Sequence, residues 1–86
     1  MHEFSLMADL LKKIDRLAEE QQAERVVGVR VRLGALSHIS AGHFREHFEQ
    51  GVKGTVAEGA RLDVRVSDDA RDPNAQDILL ESIEVA

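Results

Sequence analysis

The sequence contains no cysteine, no tryptophan and no tyrosine, and it has a single proline among 86 residues. Without cysteine there is no disulfide framework, no thiolate nucleophile and no cysteine-bound zinc, so stability must come from packing alone. Three phenylalanines make up the whole aromatic complement. No apolar run approaches the roughly 20 residues needed to cross a bilayer. His2, Glu3 and Asp9 interrupt the opening stretch, which therefore lacks the basic and continuous apolar regions of a secretory leader. The formal charge of −5 is spread along the chain with no basic stripe, which argues against nucleic acid and anionic membranes as partners. There is no internal repeat, no glycine-rich phosphate cradle, and no set of nucleophile, base and orienting group. These absences leave one small domain, expected to be soluble, cytoplasmic and not an enzyme.

What is present is strongly periodic. From Phe4 to about Gln22, apolar residues fall at Met7, Leu10, Leu11, Ile14, Leu17 and Ala18, the spacing of a helix with one buried face. Val27, Val29, Val31 and Leu33 then alternate with Gly28, Arg30 and Arg32, the period of a strand with one apolar face. Ser40 stands as the N-cap of a second helix carrying Phe44, Phe48 and Val52, with Gly54 as its expected stop. A second strand holds Leu62, Val64 and Val66. The third, Asp77 to Val85, changes phase between Ile78/Leu80 and Ile83/Val85, which predicts a β-bulge near Glu81 and Ser82. The order helix, strand, helix, strand, strand defines an α+β fold with two helices on one face of a three-stranded mixed sheet. The first two strands should be parallel through a right-handed crossover, and the third antiparallel to the second. Pattern leaves open whether that third strand lies outside the second or between the first two; the outer position is the expectation.

The chemistry concentrates at the start. Met1, His2 and Glu3 offer a terminal amine, two backbone amide nitrogens and an imidazole, a four-nitrogen set suited to a square-planar ion such as Ni(II) or Cu(II), where zinc prefers a tetrahedron. A frayed terminus is the alternative. His38, in the loop Ala35 to Ile39, is an auxiliary metal candidate if that loop folds toward the N-terminus. His43 and His47, four apart on one helix, can both reach one ion, but no third ligand is evident and they read as a half-exposed flank of the phenylalanine stripe. Asp68, Asp69, Asp72 and Asp77 lack the spacing of a calcium loop and read as solvated.

Five blocks together resemble a known family. They are the opening Met-His-Glu-Phe-Ser-Leu, the strand and turn from Val29 to Ser37, the Phe44 and Phe48 pair, the run from Gly54 to Leu62, and the closing Ser82-Ile83-Glu84-Val85. This pattern is similar to the HypA/HybF hydrogenase nickel-incorporation proteins. The resemblance implies a nickel-binding domain over residues 1–86 and a metallochaperone that passes Ni(II) toward NiFe hydrogenase, in some organisms urease. It implies Met1, His2 and Glu3 as the metal site. It also implies a maturation GTPase and the hydrogenase large subunit as partners, with a homodimer possible.

Two departures qualify the match. Family members usually carry a zinc domain with two Cys-x-x-Cys pairs between the second and third strands. Here that interval is the polar loop 67–76, so no structural zinc is expected. Some members also have an acidic residue near the start of the second helix that approaches the nickel, where this chain has Ser40. The competing reading is a metal-independent protein-interaction module that keeps the fold and uses a sheet edge or helical face.

Overall fold

The computed structural model describes residues 2–37 and 39–86, without the side chains of residues 2–5. Helix α1 spans His2–Glu20, β1 Val26–Leu33, α2 Ala41–Gly51, β2 Arg61–Val66 and β3 Ile78–Val85. The fold is the expected α+β arrangement, two helices against a mixed three-stranded sheet.

α1 buries Met7, Leu10, Ile14 and Ala18, the stripe read from the sequence, while Asp9, Lys12, Lys13, Asp15 and Arg16 stay exposed. It begins two residues earlier than expected, at His2 rather than Phe4. Nothing in Met-His-Glu breaks a helix, and an acidic residue in the first turn suits the positive end of the helix dipole. Its C-terminus closes in a Schellman turn: Ala23 N–H donates to the Ala18 carbonyl at 2.9 Å and Gln22 N–H to the Glu19 carbonyl at 3.0 Å. Gln22 holds the left-handed position there, at φ 54°, where a side chain costs energy that glycine avoids. Gln22→Gly should therefore stabilise the protein by about 1 kcal/mol, raising the melting temperature by roughly 4–8 °C. An unchanged or lower melting temperature would contradict this account of the turn.

Ser40 caps α2 as expected, its hydroxyl accepting a hydrogen bond from the His43 N–H at 3.1 Å. The helix stops at Gly51, short of Gly54, because the Val52 carbonyl is taken by the Thr55 hydroxyl at 2.7 Å and the Thr55 N–H at 2.9 Å. Gly54 serves the following turn, at φ 79°.

The sheet order is β2-β1-β3, with β1 parallel to β2 and antiparallel to β3. The third strand thus runs opposite to the second, as expected. It does not lie outside the second, however, nor between the first two, but pairs with the far edge of β1. Burial explains the choice. β1 is the strand whose inward residues are almost wholly enclosed, Val31 and Leu33 having no exposed surface, so it takes the centre and the more polar strands take the edges. The loop 67–77 is long enough to cross the end of β1, and hydrogen bonds fix the crossing. Ser67 N–H donates to the Leu33 carbonyl at 2.9 Å, Gly34 N–H to Asp77 at 2.9 Å and Leu36 N–H to Ala75 at 2.7 Å. Gly34 permits this approach, since a Cβ there would sit 2.2 Å from the Ala75 carbonyl oxygen.

The predicted bulge is present. Arg30 pairs with Ser82 and the next residue, Val31, with Leu80, leaving Glu81 as the extra residue of β3. A second register shift on β1, between Val26 and Gly28, was not legible from the pattern. It turns Val26 into the core, at 1% exposure, and leaves Val27 exposed at 38%, correcting the expected inward position of Val27. Val66, expected on the apolar face of β2, is also exposed, because it ends an edge strand beyond the reach of the helices.

Phe44 and Phe48, both essentially without exposed surface, join Ile14, Val29, Val31 and Leu33 in the core. α1 packs chiefly on β3 and α2 on β2, and the two helices touch each other.

Candidate metal centre

Of the residues singled out as metal ligands, Met1 and His38 lie outside the described residues, while His2 and Glu3 form the first turn of α1. The backbone N–H groups of a helix's first turn have no intrahelical acceptor. Those of His2 and Glu3 are thus not committed to the helix ladder, and the positive end of the helix dipole favours the anionic, deprotonated form that a metal-bound amide takes.

Connectivity places this turn. α1 leads through a short turn into β1, and α2 is the crossover between parallel β1 and β2, so both helices run opposite to β1 and parallel to each other. The contacts agree in register. Leu11 lies against Gly51, where a Cβ would be 2.8 Å from its Cδ1, and Asp15 and Ala18 share a groove with Gly54, Thr55 and Val56 further along. Both helix N-termini therefore point to the end of the sheet where β1 stops, which is also where the 34–40 loop leaves for α2 and the 67–77 loop crosses over. The expected site and the start of α2 share one end of the molecule.

At that end, Ser40 has its hydroxyl engaged in capping α2. His43 and His47 project from α2 with their rings stacked at 4.6 Å between centroids and 24° between planes. Their Nε2 atoms are 2.9 Å apart. His43 is exposed and His47 half-buried, the flank position read from the sequence. Among the described residues there is no group of three or more histidine, cysteine, aspartate or glutamate side chains placed to hold a metal ion.

A feature that net charge concealed lies on the uncovered face of the sheet. The register brings Arg30, Arg32, Arg61 and Arg65 together there, with ion pairs from Arg30 to Asp63 at 3.9 Å, Arg32 to Asp72 at 3.9 Å and Arg61 to Glu84 at 2.7 Å. The two exposed pairs, Arg30–Asp63 and Arg61–Glu84, contribute roughly 0–1 kcal/mol each, while Arg32–Asp72 is half-buried. Arg30 and Arg32 alternating through the first strand were the available signal, but only strand pairing sets the others beside them.

Residues 1–71 match the family described as hydrogenase/urease nickel incorporation, metallochaperone, hypA. Among curated relatives, the hydrogenase maturation factor HypA of Archaeoglobus fulgidus is 42% identical over 66 residues, covering 77% of this chain and 60% of that protein. HypA of Methylocella silvestris is 39% identical over 66 residues, covering 77% and 58%, and HybF of Escherichia coli K12 is 39% identical over 64 residues, covering 74% and 57%. The solution structure of the Ni metallochaperone HypA from Helicobacter pylori superposes with a TM-score of 0.79 at 21% identity, covering 99% of this chain and 97% of that one, and so shares the fold. The chain belongs to the HypA/HybF family of hydrogenase nickel-incorporation proteins. It spans about 60% of the length of the curated relatives it matches.

Proposed function

We propose that this chain is a nickel carrier, delivering Ni(II) during maturation of a NiFe hydrogenase or another nickel enzyme without itself catalysing a reaction. Its cargo site is the amine of Met1, the amide nitrogens of Met1's two successors, His2 and Glu3, and the His2 imidazole, with His38 as an auxiliary ligand. The observation that carries this reading is the placement of His2 and Glu3 in the first turn of α1, where amide nitrogens are free of the helix ladder, in a chain of this family. A four-nitrogen plane needs those amides to converge on one ion, so loading opens the first turn of α1. The described residues on either side of His38, 34–37 and 39–40, run between the end of β1 and the start of α2, at the same end of the sheet. A maturation GTPase and the hydrogenase large subunit are the proposed partners.

The polar loop 67–76 stands in place of the relatives' zinc domain in this proposal. The loop is well knit in its own right: Asp69 and Asp72 carboxylates accept from the N–H groups of Arg71 and Asn74 at 3.0 and 2.8 Å, and Ala75 is buried at 4% exposure.

Titrating the protein with Ni(II) tests the ligand set. One equivalent should give a yellow, diamagnetic complex with narrow NMR lines, the signature of a square plane of nitrogens. Protons compete for the amine, amides and imidazole, so affinity should fall steeply as the pH drops toward the ordinary imidazole value of about 6.5. A paramagnetic octahedral complex, or affinity independent of pH across that range, counts against this site.

A further inference from the structure

We propose that the uncovered face of the sheet is a docking surface for an acidic segment of a partner protein, held chiefly by Arg32 and Arg65 at the end where β1 and β2 stop. The proposal rests on strand register and stands whether or not the terminal metal site exists.

Three observations carry it. First, the face is charged against the sign of the chain. The register turns Arg30 and Arg32 of β1 to the side away from the helices, together with Arg61, Asp63 and Arg65 of β2 and Ser82 and Glu84 of β3. Even counting Asp72, which reaches Arg32 from the loop, the arginines of this face outnumber its carboxylates, while the whole chain carries −5. Second, these guanidinium groups are poorly matched from within. Arg61 is hydrogen-bonded to the Glu84 carboxylate at 2.7 Å, but Arg30 is 3.9 Å from Asp63 and Arg32 is 3.9 Å from Asp72, beyond hydrogen-bond reach. Arg65 makes no ion pair among the described residues. Third, Arg32 and Arg65 are direct partners in the parallel register of β1 and β2. Like charges set opposite one another on neighbouring strands destabilise a sheet, and no carboxylate at Arg65 offsets that cost. A carboxylate from outside does so, because each guanidinium presents a planar fork of donors that matches it.

The spacing states the chemistry of the occupant. Arg30 and Arg32 are two residues apart on one strand, roughly 6.6 Å, which is also the distance between alternate residues of an extended segment. A segment with aspartate or glutamate at every second position, laid along the strands, therefore meets the arginines in step. The groove against Arg30, Asp63, Val64 and Arg65 receives it. Nucleic acid is the poorer fit, since the chain as a whole repels a polyanion. Position gives the surface a use: Arg32 and Arg65 are the last outward residues of their strands, so a partner held there is brought to the end of the molecule where α1 begins.

The test is a nuclear magnetic resonance titration of the isotope-labelled chain with a peptide of alternating glutamate and serine long enough to span β1, read at backbone amides and arginine Nε–H groups. The acidic peptide should bind saturably, bind more weakly as salt is added, and shift the signals of Arg32 and Arg65 most. The same peptide with glutamine for glutamate should not bind. Arg32→Gln/Arg65→Gln should weaken binding at least about ten-fold, and Arg16→Gln, on the exposed side of α1, should leave it unchanged. Arg65→Gln alone should weaken binding without lowering the melting temperature, because it removes a like-charged neighbour; a lower melting temperature would mean that the fold itself requires Arg65 and would overturn the proposal. Absence of binding, an equal loss with Arg16→Gln, or shifts spread evenly over all the arginines overturns it as well. Equal binding of inorganic phosphate or of an oligothymidylate at matched charge would assign the face to a free anion or to nucleic acid instead. Concentration-dependent shifts at Arg32 and Arg65 without peptide would assign it to a second copy of the chain, and either result refutes the acidic partner.

Discussion

Placing even two extra residues ahead of Met1 should lower the high-affinity nickel binding of this protein by on the order of 100-fold or more, while leaving its fold intact. The extension turns the terminal amine into an amide and displaces it, removing one of four in-plane nitrogens, a larger loss than the 10–100-fold typical of outer-shell partners. His2→Ala should act as strongly by removing the imidazole. Both changes lie ahead of the buried α1 residues Met7, Leu10, Ile14 and Ala18, and a chain terminus generally has few contacts to lose. Melting temperatures should stay within a few degrees of the parent. Glu3→Gln is the finer measurement. It should be nearly silent if Glu3 supplies only its backbone nitrogen, and should cost about 10–100-fold if the carboxylate supports the ion; the silent outcome is expected. Tagged and His2→Ala proteins that bind nickel as tightly as the native chain would remove the terminal site from consideration. Attention would then move to His38, His43 and His47, or to the reading of the chain as a metal-independent interaction module that uses a sheet edge or helical face.

Phe48→Ala should be the most damaging single change to stability. The ring is 1% exposed and lies 6.2 Å, centroid to centroid, from Phe44, with no tryptophan or tyrosine elsewhere in the chain to take over its volume. Removing a buried phenylalanine ring costs about 3–5 kcal/mol, against the roughly 4–13 kcal/mol that a domain of this size has in total. Thermal denaturation should show a fall of some tens of degrees at roughly 4–8 °C per kcal/mol, or an unfolded protein at 37 °C. Val66→Ala is the matched control, because Val66 is 57% exposed and its truncation should stay within about 0.5 kcal/mol. Chelators should leave the parent's melting temperature unchanged, since with no cysteine the fold rests on packing. Were Phe48→Ala to melt like the parent, the assignment of the buried face of α2 would be wrong.

The sequence by itself determined everything that depends on local periodicity. Heptad-like spacing from Met7 to Ala18 fixed the buried stripe of α1, Ser40 marked the start of α2, and Phe44 and Phe48 declared its inner face. The phase change between Leu80 and Ile83 located the bulge at Glu81, because a strand that keeps two apolar pairs on one face must insert a residue between them. The Met-His-Glu start named the candidate ligands from their chemistry alone.

Strand order, by contrast, is a competition for the centre of the sheet, decided by which strand buries most and by whether a loop can cross its end. Only the folded chain shows Gly34 admitting Ala75 and β3 pairing with β1. The bulge at Val26 and Gly28 follows from that pairing, which is why Val27 faced outward against its pattern. The same holds for the sites. Four residues of spacing say that His43 and His47 share a face, but the 2.9 Å hydrogen bond between their Nε2 atoms comes from ring orientation, and the alignment of the two helices comes from Leu11 packing against Gly51. That alignment relates residues some forty positions apart, set by packing, and no local pattern encodes it.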